Sequence, residues 1–592
     1  MMVIGAVSIS SCGGSVEPSP SASEGGRILQ TDREWLIRTS LALRGLRPSV
    51  ADMALLDADP SQASALVDAY LHSPDFLEVV KDLHGDLLLI RNDSVPQFPA
   101  LGPLYGHDLF DIYSAITSEP LDLIAAVVDA DRPYTDIVTS KTTYTNDVGA
   151  LIWGFPYDFD VGGVQETTWP DGRPLAGILS SSKIWQRYES AGSNFHRGRA
   201  NVIADKLLCE AFDTREIVVE GGIDIADEEA VASAVLTDPA CVSCHQALDP
   251  LSAYLWGFKP VLRQNQIGHA YTNDCDDDHH DVTLPDLGPN FRTSDYCYPL
   301  RFYNPAEEGQ WETWGLRPPA FYGQAVEDMA DVGELMADDP RFSRCAVKNF
   351  FAYLNNIERD LVPEDITSQL QTTFETSNFS VRELVRSIVL SPEFRAKGTD
   401  DEPTPDPLAR IRTIRPEQYA NVVQDLTGFT WMAVGDPWDC ETFDDRGTFG
   451  TQCWGPVDLG RSDRFGYHSM SGGTDSFWIV RPTHEPSPIK ALTMERFAWN
   501  AAGFVVDTDF ALPAAERWLL HGVEAATEDE PTVRAQLAAL QLRILGESAS
   551  PNDAVIDEMY ALFLGARATL DVPSSWKLVI AALLQDPGMV FN

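Results

Sequence analysis

The stretch "DPACVSCHQALDPLSAYLWGF" (residues 238–258) places two cysteines three apart, a histidine directly after the second, and then Asp249-Pro250 and an apolar run. The spacing C-x-x-C-H attaches haem c. Two thiols on adjacent turns reach the two vinyl groups, and the histidine that follows lies under the iron as proximal ligand. Cys241, Cys244 and His245 carry that pattern. Three other readings compete. A structural zinc site wants a second ligand pair, and the later cysteines form no further C-x-x-C. A thioredoxin-like redox motif wants a following βαβ pattern, which the sequence lacks. A plain Cys241–Cys244 disulfide is the third. The haem reading makes this a small cytochrome-c-like segment set among helical domains.

The rest of the chain supports an exported context. "MMVIGAVSISSCGG" opens with a short apolar run that ends in Ser-Ser-Cys, followed by a Ser/Pro/Glu spacer. That order is similar to a bacterial lipoprotein signal in which Cys12 is lipidated, although a basic leading region is missing and the apolar run is short. No other run approaches the ~18–20 apolar residues that span a bilayer. Of nine cysteines, setting aside Cys12 and the C-x-x-C pair leaves six, an even number that in an exported chain points to three disulfides. The local pairings are Cys275–Cys297 and Cys440–Cys453, which leaves Cys209–Cys345 out of fifteen possible arrangements.

With 592 residues, 44% apolar content and 14 Trp, the chain is too long for one compact core and too apolar for disorder. The formal charge of −46 argues against nucleic acid and anionic membranes as partners and favours a basic protein partner, or adaptation to salt. Apolar residues at helical spacing dominate, and strand signals are sparse. The expected fold is mainly α and multi-domain. It comprises a signal and spacer (1–26), an N-terminal helical domain (27–185), the haem segment with an acidic loop (186–300), a helical domain packed on it (301–396), a Pro/Asp-rich linker (397–407) and a C-terminal helical domain (408–592). Asp32 is expected to cap the first helix, and Ser49 with Asp52 marks the start of the second. "LVDAYLHSPDF" (66–76), "LVRSIVLSPEF" (384–394) and "LVIAALLQDPGMVF" (578–591) echo one another. Each reads as an apolar helix stopped by proline, through convergent termination or through three related subdomains.

The haem stretch resembles a module of large exported bacterial multi-domain proteins of uncharacterised function, which reads C-x-x-C-H-x-x-(I/L)-D-P-L-G-F. Cys241, Cys244, His245, Asp249, Pro250, Leu251 and Phe258 match, while Ser252 replaces the usual Gly and Lys259 the usual Asp. "AGILSSS" (176–182), His196-Arg197-Gly198 ahead of "DKLLCEAF", "DDPRFSRCAVKNFFAYLNNIERD" (338–360), "IRPEQYANVVQDLTG" and Gly472-Gly473-Thr474-Asp475-Ser476 are similar to further segments of that family. The resemblance implies one covalent haem c and export, and it implies no particular reaction.

The sixth iron ligand separates an electron carrier from peroxide or oxygen chemistry. Met329 and Met336, seven apart, and His196 are the candidates, each against a reading as core filler or structural histidine. The loop around Asp274, Asp276, Asp277, Asp278, His279, His280 and Asp281 has the donors for Ca²⁺, though not in EF-hand order, and reads equally as a solvated acidic loop. "QWETWGLRPPAFYG" (310–323) offers aromatic faces to sugars or, more simply, to the core. There is no G-x-S-x-G, Walker loop, G-x-G-x-x-G or H-E-x-x-H. The expected function is electron transfer to or from a redox partner protein of basic surface. The alternatives are a haem-dependent oxidoreductase or peroxidase, and a surface binding or scaffold protein whose C-x-x-C-H is structural.

Overall fold

The structure, a computed structural model, describes residues 27–91, 107–190, 194–215, 226–260, 298–399, 412–433 and 465–591, with the shorter pieces 23–24, 102–104, 408–409, 440–441, 452–453 and 457–463. Helices dominate, and the strands are two to four residues long. Among the described residues no helix is long and apolar enough to cross a membrane.

The same frame occurs twice. The strand Arg27–Leu29 leads into the helix Asp32–Arg44, and it pairs antiparallel with Ala396–Thr399, more than 360 residues later. In the second half, Thr413 bridges Phe591, the Ile414 amide donates to the Val590 carbonyl at 2.7 Å, and the helix Pro416–Thr427 follows. Both opening helices end on a glycine in the left-handed region, Gly45 (φ 64°) and Gly428 (φ 70°), where a side chain would strain the turn. Each half is therefore closed by its own two ends.

Two apolar cores match this division. One runs from Trp35 to Leu408 and includes Trp153, Cys244, Met336 and Phe351. The segments 27–185, 186–300 and 301–396 all feed this single core. The other is built from Ile414 to Met589 around Trp576, with Leu41 of the first helix joining it. Arg47, just past that helix, donates to the carbonyls of Leu545 (2.7 Å) and Gly588 (2.9 Å), so the first helix also ties the halves together.

Local expectations differ from the structure in two places. The cap of the first helix is Thr31, whose hydroxyl accepts from the Glu34 amide while Glu34 reaches back to the Thr31 amide. Asp32 is the first helical residue, where its charge favours the positive helix end. At the three sequence echoes, Pro74, Pro392 and Pro587 open the next helix, each behind a capping position held by Ser73, Ser391 or Asp586. Proline at the first helical position loses no hydrogen bond, so it serves here as a start as well as a stop. Ser49 and Asp52 form the expected capping box.

Candidate haem-attachment site

The C-x-x-C-H lies on the helix Pro239–Ser252. Asp238 caps it, accepting from the amides of Ala240 (2.9 Å) and Cys241 (3.4 Å), and Pro239 takes the first helical position. The apolar face Cys244, Leu248 and Leu251 packs into the first core, against the helices Arg197–Leu208 and Glu228–Thr237. Cys241 and Cys244 are one turn apart and both are free thiols, Cys241 half-buried and Cys244 buried. No disulfide joins them.

His245 stands at the edge of this face with about a quarter of its side chain exposed (24%). Its Nδ1–H donates to Asp249 Oδ1 at 2.8 Å, one turn along the same helix. The Asp249 carboxylate is almost fully buried (2%), also accepts from Arg197 Nε at 2.6 Å, and lies 3.9 Å from Arg317 Nε. Burial alone would raise its pKa. The hydrogen bonds from His245 and Arg197, and their charge, outweigh burial and hold it below the usual carboxylate value. An ionised Asp249 fixes the imidazole tautomer and leaves the Nε2 lone pair free of that bond. The residues present therefore fit a covalent haem: two free thiols one turn apart, and an imidazole oriented through its far nitrogen.

Arg197 extends this arrangement outward. Its guanidinium lies over Phe195 (5.2 Å), which packs against Trp256 (6.2 Å) and Trp314 (5.5 Å). Trp314 is 61% exposed, in a short helix, Pro305–Trp314, with no buried residue. The 310–323 aromatics are therefore divided, with Phe321 in the core and Trp314 on the surface.

The candidate distal ligands are placed differently from one another. His196 is buried (4%), its ring edge meets Trp256 at 5.2 Å, and its Nδ1 accepts from Arg199 Nη1 at 3.0 Å. Burial, with the Arg199 charge beside it, pushes its pKa down to about 2, so it is a neutral imidazole. Arg199 itself bonds the carbonyls of Trp185 (2.8 Å) and Lys259 (2.7 Å), which gives the pair a structural task. Met329 and Met336 are both buried on the helix Met329–Ala337. That helix packs mainly on Asp136–Thr139, Gly177–Ser180 and Pro340–Asn355. Gly333 between the methionines lies so close to the Val138 carbonyl that an added Cβ would stand 2.1 Å from its oxygen. Both methionines are buried in the first core.

Cys209 and Cys345 form a disulfide between the end of the helix Arg197–Leu208 and the helix Pro340–Asn355, with Cα atoms 5.2 Å apart. The backbone register of the pair Cys440–Glu441 and Gln452–Cys453 sets Cys440 opposite Cys453. Cys12, the Cys275–Cys297 pairing and the acidic loop 274–281 lie outside the described residues. Among the described residues no group of three or more His, Cys, Asp or Glu could hold a metal ion.

A second polar centre lies where the two halves meet. Asp82 and Asp86 of the helix Pro74–Leu88 face Glu417 of the helix Pro416–Thr427, with Arg91, Arg415 and His468. Its one sequence signal is Asp82 and Asp86 four apart on an amphipathic helix, which is lost among 89 acidic residues. Arg91 is nine residues from Asp82, but Arg415, Glu417 and His468 come from more than 300 residues away. No protein-family model, curated protein or solved structure matches this chain.

Proposed function

We propose that this chain is a monohaem c-type cytochrome-like protein of the cell envelope that passes single electrons to or from a partner protein. The supporting observation is the contact of His245 Nδ1 with the buried, ionised Asp249, the arrangement by which proteins orient a metal-binding imidazole and raise its basicity. A haem bound there would supply a one-electron couple at the iron. Cys241 and Cys244 would hold its two edges, and His245 Nε2 would ligate the iron. Arg197 and Arg317 balance the Asp249 charge, so the carboxylate stays ionised although buried. Export, with a lipid on Cys12 as the only membrane attachment, belongs to the same reading. So does a basic partner steered by the acidic surface.

The test is a reduced-minus-oxidised absorbance spectrum of protein exported through a haem c maturation pathway, before and after carbon monoxide. Sharp α and β bands unmoved by carbon monoxide are expected of a six-coordinate carrier. Bands that move would replace electron transfer with peroxidase-type chemistry at an open iron position. No haem bands would overturn the reading and leave a binding or scaffold protein.

A further inference from the structure

The cleft between the two halves is a site in its own right, remote in sequence from the C-x-x-C-H. Its volume is about 320 Å³, at the low end of the range for small-molecule sites. The first half supplies the helices Pro74–Leu88 and Leu109–Asp129, and the second supplies Glu417 and the segment around His468. Sites at domain junctions are a common place for ligands because two rigid bodies enclose the space between them.

Most of the charges in the cleft are already matched, while the exposed Arg461 bonds the Asn421 amide oxygen. Asp82 is paired with Arg91, Asp86 lies 3.5 Å from Arg415, and Lys81 holds Asp122 at 2.9 Å and Glu78 at 3.2 Å. His468 donates from Nδ1 to the Thr474 carbonyl at 3.0 Å and turns Nε2 to Glu417 Oε2 at 3.7 Å. An ionic ligand would have to break one of these pairs, at the cost of leaving a buried charge alone. A neutral ligand would not.

One buried acceptor remains. Glu417 Oε1 has no hydrogen-bond partner, in a side chain only 9% exposed that lines the cleft; its nearest cation is Arg415, 3.9 Å away. Such an atom calls for an O–H or N–H donor. Beside it the helix Leu109–Asp129 presents Ser114, Thr117 and Ser118, with Phe110 as a half-buried aromatic wall. Fixed donors and acceptors, several hydroxyls and an aromatic face suit a molecule that both donates and accepts hydrogen bonds and has one apolar side.

We propose that this cleft binds a small neutral polyhydroxylated ligand of the carbohydrate class, with Glu417 accepting from a ligand hydroxyl. The volume admits one or two sugar rings, and the ion pairs already formed around Glu417 select against a charged group beside it.

Saturation-transfer difference NMR on the full chain tests this, with the methyl glycosides of glucose, galactose and mannose and the disaccharides cellobiose and maltose as neutral probes. Gluconate and glucosamine are the charged controls. Transfer to at least one neutral sugar is expected, weakened at least tenfold in affinity by Glu417→Gln. Thr117→Trp, which fills the cleft and leaves the ion pairs in place, should abolish it with an unchanged circular dichroism spectrum. Transfer to no neutral sugar would overturn the proposal, as would transfer to the charged controls alone. Binding undiminished in both variants would also overturn it, because it would lie elsewhere on the surface.

Discussion

His245 and Asp249, one helical turn apart, share a hydrogen bond of 2.8 Å, and Asp249 is the more buried of the two. A buried anion behind an imidazole makes the far nitrogen a better donor to iron(III) than to iron(II). Asp249→Asn keeps the shape and removes the charge. If His245 ligates iron, the midpoint potential should rise on the order of 60 mV, the equivalent of a tenfold differential affinity for a one-electron couple. Redox titration of the haem bands reads this directly. An unchanged potential in a folded variant would mean that Asp249 serves Arg197 rather than the iron.

The C-x-x-C-H helix was legible because its evidence is local: a fixed spacing with the thiols on adjacent turns, and an apolar run that follows. The closing strand pairs were not, since Arg27–Leu29 finds its partner at Ala396–Thr399 and no short-range pattern encodes that distance. The same holds for the central cleft. Asp82 and Asp86 become a buried centre only when Glu417 and His468 arrive from the other half. Met329 and Met336 illustrate the opposite case. Their seven-residue spacing marks one buried helix face, and spacing alone does not distinguish a face that meets a cofactor from one that packs in the core.

His468 carries a testable pH dependence. Burial would lower its pKa, but the hydrogen bond and charge of Glu417, together with the nearby Asp86 carboxylate, raise it to about 9. A folded-state pKa above the unfolded value of about 6.5 gives stability that is fully present below pH 6.5 and lost as pH rises through 9. Asp86, pushed up to about 6 mainly by burial, acts in the same direction at lower pH, while Lys490, held down to about 8 by burial, opposes it. Comparing the native chain with His468→Gln isolates the histidine. Their difference in urea-unfolding free energy should shrink by on the order of 1–3 kcal/mol between pH 6.5 and 9.5. A difference that stays flat would show that His468 is not cationic in the folded chain.

Gly333→Ala tests the methionine helix. In an open helix the change would stabilise by about 1 kcal/mol. Here the new Cβ would meet the Val138 carbonyl oxygen, which is backbone and has little room to move. A net loss of about 1–3 kcal/mol is expected from thermal or urea unfolding. A gain in stability would mean that this helix is free to shift away from Val138.

The disulfide between Cys209 and Cys345 closes a loop with a sequence separation of 136. Chain-entropy arguments give a crosslink of that span up to about 5 kcal/mol, by narrowing the unfolded ensemble. It also joins the end of the helix Arg197–Leu208, which carries Arg197 toward Asp249, to the helix Pro340–Asn355 of the same core. Non-reducing peptide mapping should recover a Cys209–Cys345 peptide pair. The double variant Cys209→Ala/Cys345→Ala should unfold at lower urea with a steeper dependence on denaturant, because its unfolded state exposes more surface. A variant with the same midpoint as the oxidised chain would show that the bridge contributes no stability. Because Arg197 helps hold Asp249 ionised, such a variant loaded with haem should also show whether the bridge supports the His245 contact. A wild-type potential in the reduced-stability variant would separate the fold's crosslink from the tuning of the iron ligand.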